Sequence, residues 1–582
     1  METVSSKIIS PCECKENGHF YSKYHRKEPI CSFSPSQTLY DLVRSNNADK
    51  GKEYYASYLG RSITFAQLFS DTDKLASALY ADGIRRDQIV GVCLLTTPEV
   101  CSVLLSINKI GAVSYWMDAS LKPTDLQQYI VKLGIEIAII YEPLVPAFLQ
   151  IQENTKLKKI IVVPSNPFSR TPILSDQVNP NLFVDFYNYI QQAPDVDIPP
   201  SVFDKRRTTV IVQSSGSTGK SKSIAHTDYN FNSAILKMAY CDLPFYRQNR
   251  ALVCAPPWVV YGLVNSIYSG LVLGIQTIFS IQPKEDMIYR FLGQFDYVYG
   301  VPVYIRFLYA KIVELQTGLD KCSKKELSRI YEALRAVDVF ISGGDKIAEE
   351  ELLAWQITFD KAVINGYGNN EVTGAVIVSP RFANRPGSIG IPMYDVCLKV
   401  FDNESGAMLP NGQTGELCIH SDALFEEYYH DPITTGSIKQ VHEGKAWVHT
   451  GDLATIDQDG FVFLLGRTRR LIIDKLGYKI SPENSENLIM SMEGVIECVV
   501  VGAERTENDT VPVAFVELKT DKKKDTSMID SIEKLCCERL KDYERPKFFF
   551  EIPAIPHKEN GGKRDILALE KLAQKLITTQ KC

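Results

Sequence analysis

Residues 214–222 read SSGSTGKSK and follow the apolar run TTVIVQ at residues 208–213. The run predicts a buried β-strand, and the small hydroxyl and glycine residues after it are typical of a loop that binds anions. A Walker P-loop requires glycine five positions before Gly219, where this chain has Ser214. The segment therefore predicts a strand leading into a mobile anion-binding loop of another class, with a helix opening near residues 227–228.

The composition is that of an ordinary globular protein. The chain has 582 residues, of which 45% are hydrophobic and 23% are charged, and its length suggests roughly three to four domains. A net charge of -6 gives no long-range attraction to nucleic acid, so we expect no nucleic-acid partner. Fourteen cysteines without a disulfide-rich framework, and a start without an apolar signal segment, predict reduced thiols and a cytoplasmic location.

Residues 251–283 carry no charge and are long enough to span a membrane. Helix-breaking residues interrupt this segment at Pro256, Pro257, Gly262, Gly270 and Gly274. Because such residues disfavour one continuous helix, we interpret the segment as a buried strand, helix and strand. No integral membrane association is expected.

The first 34 residues contain several potential zinc ligands, which are Cys12, Cys14, His19, His25 and Cys31. Their spacing differs from that of the common zinc motifs. A loosely packed N-terminal extension is the favoured interpretation, and a metal site is the alternative.

Downstream of the loop, strand patterns alternate with helix patterns, and β-rich segments then replace this alternation. Residues 340–347, FISGGDKI, and 362–376, AVINGYGNNEVTGAV, predict strands followed by loops, where open α/β sheets bind ligands. Short β-rich segments follow up to Arg467. Beyond it, Ser481 is expected to cap a helix that begins at Pro482, within a small α+β unit.

These patterns predict an α/β protein in three parts. Residues 1–34 form the extension, and residues 35–467 form a large N-terminal domain of α/β sheets that includes a small β-rich subdomain. Residues 468–582 form a small α+β C-terminal domain.

Five motifs in order, SSGSTGKSK, NGYGNNE, HTGDLA, GRTRRLIIDKLGYKI and PHKENGGK, resemble those of the adenylate-forming superfamily. This superfamily includes acyl- and aryl-CoA synthetases, adenylation domains of nonribosomal peptide synthetases, and firefly luciferase. The resemblance covers nearly all of the chain from about Pro35 onward. It implies an AMP-forming acid–thiol ligase that uses ATP and Mg2+ and forms an acyl adenylate.

The resemblance places the β and γ phosphates of ATP against the first motif. The implied phosphate-binding residues are Ser214, Ser215, Gly216, Ser217, Thr218 and Gly219. Lys222 takes the place of the lysine that closes the family's loop and is implied to be catalytic, whereas Ser221 stands where proline is usual.

The second motif is implied to hold the metal and the adenine. Glu371 matches the catalytic carboxylate that ligates Mg2+, and Tyr367 and Gly368 belong to the adenine contact. Asn370 stands where the family has threonine, and its amide can also hydrogen-bond a phosphate.

Four other positions complete the implied nucleotide site. Gly343 and Gly344 would let the backbone lie against the adenine. Asp452 is implied to accept hydrogen bonds from both ribose hydroxyls, and Arg467 to approach the ribose and phosphate. The structural alternatives are turn capping for Asp452 and a surface ion pair for Arg467.

The C-terminal motif supplies Lys563, which matches the family's catalytic lysine and would neutralise charge at the α-phosphate. In related enzymes the small domain rotates between adenylation and thiol transfer, which implies a mobile C-terminal domain here. Arg469 lies nearest the implied hinge, and Gly477 would enter the thiol tunnel in place of Lys563.

Residues 258–262, WVVYG, match the aromatic loop of the family's acyl pocket. The pocket candidates, each with ordinary core packing as the alternative, are Trp258, Val259, Val260, Tyr261, Asn265 and Gly366. Val259 stands where amino-acid-activating members place aspartate for the substrate ammonium. Because an unpaired buried ammonium costs several kcal/mol, an acid with an uncharged tail is expected.

The resemblance leaves the acyl acceptor open. CoA is favoured because no carrier domain is fused, and the alternative is a stand-alone enzyme that loads an acyl or amino acid onto the phosphopantetheine of a carrier protein. An inactive ATP- or acyl-binding protein is the alternative from another class. In each case a small carboxylic acid is the expected partner.

Overall fold

The computed structural model describes residues 24–166, 168, 171–172, 178–213, 222–280, 286–317, 323–345, 347, 349–381, 385, 387–402, 404–467, 470, 472–473, 479–506, 509–519, 526–542, 544–557 and 564–579. The predicted site residues that lie outside these ranges are Ser214, Ser215, Gly216, Ser217, Thr218, Gly219, Arg469, Gly477 and Lys563. The three N-terminal zinc candidates Cys12, Cys14 and His19 also lie outside them.

The strands, in chain order, are β1 (Tyr54–Tyr58), β2 (Arg61–Thr64), β3 (Ile89–Cys93), β4 (Val113–Trp116), β5 (Ile137–Tyr141), β6 (Lys159–Val163), β7 (Phe183–Asp185), β8 (Thr208–Gln213), β9 (Ser223–Thr227), β10 (Arg250–Val253), β11 (Gln276–Phe279), β12 (Tyr297–Gly300), β13 (Val339–Gly343), β14 (Val363–Asn369), β15 (Gly374–Val378), β16 (Ile391–Pro392), β17 (Cys397–Phe401), β18 (Met408–Leu409), β19 (Thr414–His420), β20 (Glu427–Tyr428), β21 (Lys439–His442), β22 (Lys445–Ile456), β23 (Val462–Arg467), β24 (Ile472–Ile473), β25 (Lys479–Ile480), β26 (Val495–Thr506), β27 (Asp509–Leu518) and β28 (Phe548–Glu551).

The α-helices are α1 (Leu39–Asn46), α2 (Phe65–Ala81), α3 (Glu99–Ile110), α4 (Pro123–Lys132), α5 (Val145–Ile151), α6 (Phe186–Gln191), α7 (Asp228–Tyr240), α8 (Ser269–Leu273), α9 (Met287–Arg290), α10 (Pro302–Thr317), α11 (Lys324–Ala336), α12 (Glu349–Phe359), α13 (Pro432–Ile438), α14 (Pro482–Met490), α15 (Thr526–Arg539) and α16 (Ile566–Thr579). A π-helix spans Tyr261–Tyr268, and short 3-10 turns span Glu142–Leu144, Gln152–Asn154 and Asn370–Val372.

The chain divides into two units. One comprises residues 1–398 and 419–448, and the other comprises residues 399–418 and 449–582. The predicted domain boundaries at residues 34/35 and 467/468 remain predictions.

The first unit contains two large sheets. In one, the described strands follow the order β20-β9-β8-β4-β3-β5-β6-β7, with parallel pairing from β8 through β7 and antiparallel pairing at β9 and β20. Its central strands are apolar and buried on both faces, as parallel strands covered by helices are. Strand β8 is the predicted strand before the loop, and its antiparallel neighbour β9 was not predicted.

The other sheet has the described order β16-β15-β14-β13-β12-β10-β11-β1-β2. It contains the uncharged segment, which forms strand β10, the π-helix with α8, and strand β11 parallel to β10. The interpretation of this segment as strand, helix and strand is confirmed. Across the described residues, every helix is too short or too polar to cross a membrane.

Helix α7 begins where the sequence predicts it. Thr227 accepts a hydrogen bond from the backbone N–H of Asn230, and the Asn230 side chain accepts one from the Thr227 backbone. This capping box satisfies two backbone donors at the helix start.

The described part of the N-terminal extension is bound to the first unit. Backbone N–H groups of Arg26 and Ile30 donate to the carbonyls of Tyr240 (3.0 Å) and Ala239 (2.9 Å) at the end of helix α7. His25 is 9% exposed, and its Nε2 lies 3.3 Å from the carbonyl oxygen of Pro392. The prediction of loose packing is therefore wrong at His25, Arg26 and Ile30, which burial and backbone pairing hold in place.

The second unit contains the predicted small α+β arrangement. Strands β26 and β27 are antiparallel, β28 is parallel to β27, and helix α14 begins at Pro482 as predicted. Helix α16 was not predicted. Ser481 precedes α14 as expected, but its hydroxyl does not cap the helix and instead lies within hydrogen-bond distance of two acceptors, the Leu465 carbonyl and the Glu483 carboxylate.

Candidate active site

The end of strand β8 is fixed by buried polar contacts. Gln213 is 3% exposed, and its side chain accepts from the Asp118 N–H (2.9 Å) and donates to the Tyr115 hydroxyl (2.8 Å). Its backbone carbonyl accepts from the Asn370 amide at 3.5 Å. The chain therefore enters residues 214–221 from a rigid point next to the Asn370 turn.

Asn370 is already engaged by the protein. While its Nδ2 donates to Gln213, its Oδ1 accepts from the backbone N–H of Val260 at 3.2 Å. The amide expected to contact phosphate thus joins the aromatic loop to strand β8.

Glu371 lies on the short turn between β14 and β15. The Asn369 side chain accepts from the N–H of Val372, and Thr373 adopts a positive φ of 52°, which together form the tight turn. The Glu371 carboxylate accepts a 2.7 Å hydrogen bond from the Tyr428 hydroxyl through Oε1. Within the described part of the chain, Oε2 has no hydrogen-bond partner. One fixed carboxylate with a spare oxygen fits Mg2+, which prefers hard oxygen ligands and retains several waters.

Lys222 lies beside the same tyrosine. Its Nζ is 4.6 Å from the centroid of the Tyr428 ring, within the range of a cation–π contact. The structure therefore brings together the predicted phosphate-binding cation and the predicted metal ligand through a residue that sequence reasoning missed. Only the pairing of β20 with β9 reveals Tyr428, because no local pattern links it to Glu371.

The adenine candidates lie at the ends of β13 and β14. Tyr367 and Gly368 belong to strand β14. Gly344 is exposed and has a φ of +83°, which favours glycine. Gly343 is buried, and an added Cβ would lie 3.3 Å from the Tyr261 ring, so this glycine makes room for that ring.

The acyl-pocket candidates separate into two groups. Trp258, Val259 and Tyr261 are partly exposed, and the Tyr261 hydroxyl donates to the Gly300 carbonyl at 2.8 Å. Gly366 is also partly exposed. These four residues remain available to line a pocket.

The other two candidates are core residues. Val260 and Asn265 are each 2% exposed. The Asn265 side chain accepts from the N–H of Ala375 (3.2 Å) and donates to the Met238 sulfur (3.5 Å), so it ties the π-helix to strand β15. For Asn265, the structure favours the alternative of core packing.

The ribose candidates belong to the second unit. Asp452 and Arg467 face each other across β22 and β23, with Arg467 Nε 2.7 Å from Asp452 Oδ1. The carboxylate is buried and the arginine side chain is 60% exposed. The alternative of an ion pair is therefore present for Arg467, and Asp452 is its partner.

A second group of potential metal ligands lies in the same unit. The ligand atoms of Glu416, Cys418 and His449 lie within 4.8 Å of one another. Both Glu416 oxygens are already engaged, by the Gly451 N–H (2.8 Å) and by His449 Nδ1 (2.9 Å). Burial also raises the pKa of the Cys418 thiol, which disfavours the thiolate that a metal requires. This arrangement fixes the turn before Asp452 without a metal.

Comparison with known proteins identifies the family. A profile described as AMP-binding enzyme matches residues 43–429, and one described as AMP-binding enzyme C-terminal domain matches residues 484–562. The 4-coumarate–CoA ligase 4 of Arabidopsis thaliana is 25% identical over 532 residues, which cover 89% of this chain and 88% of that protein.

Solved structures share the fold. Anthranilate CoA ligase AuaEII in complex with anthranoyl-AMP has a TM-score of 0.78 at 20% identity, over 95% of this chain and 100% of that chain. ATP-bound MatB from Rhodopseudomonas palustris has a TM-score of 0.79 at 20% identity, over 93% and 100%. The predicted fold class is confirmed. Because the first profile spans most of the chain, the protein belongs to the AMP-binding enzyme family, and its predicted place in the adenylate-forming superfamily is confirmed.

Proposed function

We propose that this chain is an AMP-forming acid–thiol ligase that joins a small carboxylic acid to CoA through an acyl adenylate. The proposal rests on one observation: Lys222 and Glu371 both contact Tyr428, next to the chain segment 214–221. A cation for phosphate and a carboxylate for Mg2+ are the two groups that adenylation needs most.

The reaction has two steps, and each step forms one bond and breaks one bond. A carboxylate oxygen of the acid attacks the α-phosphorus of ATP, and the bond to pyrophosphate breaks. The thiol sulfur then attacks the acyl carbonyl, the thiol proton is lost, and AMP leaves. Because the substrates supply both nucleophiles, the protein acts by positioning them and neutralising charge.

We assign the residues the following tasks. Lys222 would hold a phosphate, and Glu371 would hold Mg2+, which when bound neutralises phosphate charge and orients pyrophosphate. Asp452 would accept from the ribose hydroxyls. Lys563 would stabilise charge at the α-phosphate.

The remaining tasks concern the nucleotide base and the loop phosphates. Tyr367 would stack on the adenine beside Gly368 and Gly344, and Arg467 would approach the ribose. The hydroxyl and glycine residues of segment 214–219 would bind the outer phosphates.

The acid is assigned from the chemistry of the Val259 side chain, and the acceptor is assigned from the related proteins. Val259 is uncharged and partly exposed, which supports an aryl or aliphatic acid with an uncharged tail. CoA is proposed because relatives that are 25% identical to this chain, from Arabidopsis thaliana and Humulus lupulus, are named as 4-coumarate–CoA ligases, and a carrier-protein phosphopantetheine is the alternative. Nine of the described cysteines form no disulfide bond, which supports the proposed cytoplasmic location; they are Cys31, Cys93, Cys101, Cys241, Cys254, Cys418, Cys498, Cys536 and Cys537.

The proposal is tested by measuring pyrophosphate release from ATP and Mg2+ with a panel of aryl, aliphatic and amino acids. Thioester formation with CoA is then measured by mass spectrometry. Lys222→Ala should lower adenylation by roughly two to three powers of ten, as expected for loss of a charge-stabilising donor. Lys205→Ala is the matched control, because Lys205 Nζ lies 3.8 Å from the centroid of the Tyr229 ring. ATP binding without pyrophosphate release for any acid would instead indicate a binding protein.

A further inference from the structure

Tyr428 contacts two proposed active-site residues through different parts of its side chain. Its hydroxyl donates to Glu371 Oε1 at 2.7 Å, and its ring centroid lies 4.6 Å from Lys222 Nζ. Tyr428 itself is 3% exposed, so both contacts are shielded from water on the tyrosine side. We propose that Tyr428 is a positioning residue that sets the Glu371 carboxylate for Mg2+ and the Lys222 ammonium for phosphate. This inference rests on the proposed function.

The hydroxyl contact selects one carboxylate oxygen. A tyrosine hydroxyl has a single proton to donate, so it occupies Oε1 and leaves Oε2 for a cation. Hydrogen bonds to a carboxylate are stronger and shorter than neutral ones, which suits a rigid metal ligand. The Glu371 carboxylate is thereby held in one orientation before the metal binds.

The ring contact places the cation. Lys222 directly follows segment 214–221 and precedes β9, whose Ile224 is the register partner of Tyr428. The antiparallel pairing of β20 and β9 therefore brings the ring next to the lysine. The negative face of the ring attracts the ammonium without neutralising its charge.

The tyrosine is itself held firmly. Its backbone N–H donates to the Thr435 hydroxyl at 2.9 Å, and its ring packs edge-on against Phe425 at 5.0 Å. The Phe425 N–H donates to the Glu371 carbonyl at 2.8 Å, and Lys439 Nζ donates to the Phe425 carbonyl at 2.7 Å. The backbone and the side chain of Glu371 are thus both tied to residues 425–428.

Two substitutions separate the two contacts. Tyr428→Phe removes the hydroxyl and keeps the ring, whereas Tyr428→Leu removes both. Affinity for ATP is measured by calorimetry without acid substrate, once with Mg2+ and once with EDTA. We expect Tyr428→Phe to weaken binding roughly tenfold with Mg2+ but less than twofold with EDTA. Tyr428→Leu should weaken binding under both conditions.

The matched control is Tyr187→Phe, because the Tyr187 hydroxyl donates to Glu99 Oε1 at 2.6 Å. This variant should bind ATP like the parent under both conditions. Equal weakening by Tyr428→Phe with and without Mg2+, or no weakening, would overturn the positioning role.

A double-mutant cycle distinguishes this inference from the proposed function. Glu371→Gln should remove the Mg2+-dependent gain in ATP affinity, and adding Tyr428→Phe should then change the affinity less than twofold. If Glu371→Gln leaves the Mg2+ effect intact, the proposed metal role of Glu371 fails. If Glu371→Gln acts as expected but Tyr428→Phe alone does not, only the role of Tyr428 fails.

Discussion

Arg467 Nε lies 2.7 Å from Asp452 Oδ1, and the two residues are register partners on β22 and β23. The arginine side chain is 60% exposed and the aspartate side chain 8% exposed. An ion pair with one exposed partner contributes at most about 1 kcal/mol to stability. Its more important consequence is that the arginine holds the buried Asp452 carboxylate in place, and the carboxylate oxygens can accept hydrogen bonds from a ribose.

Asp452→Asn should therefore weaken ATP binding roughly tenfold or more, because hydrogen bonds to a charged acceptor contribute about 1.5–3 kcal/mol. Calorimetry with ATP and 2′,3′-dideoxy-ATP checks this expectation. The parent protein should prefer ATP, and the variant should lose most of that preference. Asp459→Asn, in the turn between the same two strands, is the control. A variant that still discriminates between the two nucleotides would show that Asp452 does not contact the ribose.

Acid stability should depend on His226. Burial lowers the pKa of His226 to about 3, and the Lys439 ammonium lowers it in the same direction. In the unfolded chain the histidine is protonated below its ordinary value of 6.5, so stability is lost as the pH falls from 6.5 towards 3. The free energy of unfolding should be about 3 kcal/mol lower at pH 4 for this reason.

His226→Asn should remove most of that acid sensitivity, since asparagine can still bond Thr373, whose hydroxyl lies 3.0 Å from His226 Nδ1. Denaturant unfolding at pH 7 and pH 4 measures the difference. The exposed His430 provides the control variant His430→Asn, which should behave like the parent. Identical pH dependence in parent and His226→Asn would contradict the assignment.

Local patterns account for the elements that the sequence predicts well. The apolar run before residue 214, the capping residue Thr227 and the uncharged segment around β10 and β11 each act over a few residues. Strand β9 was missed because only five residues separate the loop from helix α7. Its pairing with β8 compensates for its short length.

Contacts between distant segments could not be predicted. Tyr428 and Glu371 are 57 positions apart, and they meet only because β20 pairs with β9 in one register. Asn265 matched the family's pocket region, but the wider turns of the π-helix place its amide against Ala375. Such orientations depend on packing and register, which a single sequence does not specify.

The uncharged, partly exposed side chain of Val259 predicts that the acid substrate has an uncharged tail. Val259→Asp should lower ATP–pyrophosphate exchange with aryl and aliphatic acids at least tenfold, because the new carboxylate would be desolvated beside an apolar tail. Val441→Asp is the control, as Val441 is 71% exposed. Fastest exchange with proteinogenic amino acids in the parent protein would contradict the predicted class.

Two glycines of strand β14 should respond differently to alanine. A Cβ on Gly366 would lie 3.8 Å from the Ser342 carbonyl, an ordinary contact, whereas a Cβ on Gly368 would lie 1.7 Å from the Gly374 carbonyl. Gly366→Ala should fold normally and raise the KM of larger acids selectively. Gly368→Ala should lower the free energy of unfolding by about 3 kcal/mol. Thermal unfolding and acid KM values check both, and a stable Gly368→Ala variant would contradict the close approach.

Lys563 and Gly477 should separate the two half-reactions. Charge builds at the α-phosphate only while the adenylate forms, whereas the thiol step requires access to the acyl carbonyl. Lys563→Ala should therefore lower adenylation by roughly two to three powers of ten and largely spare thioester formation from a supplied acyl adenylate. Gly477→Trp should spare adenylation and slow thiol transfer, and Arg469→Pro should slow thiol transfer more than adenylation because proline fixes φ. Each half-reaction is measured separately, with circular dichroism to verify folding. Equal loss of both half-reactions in folded Lys563→Ala would contradict a lysine that serves only adenylation.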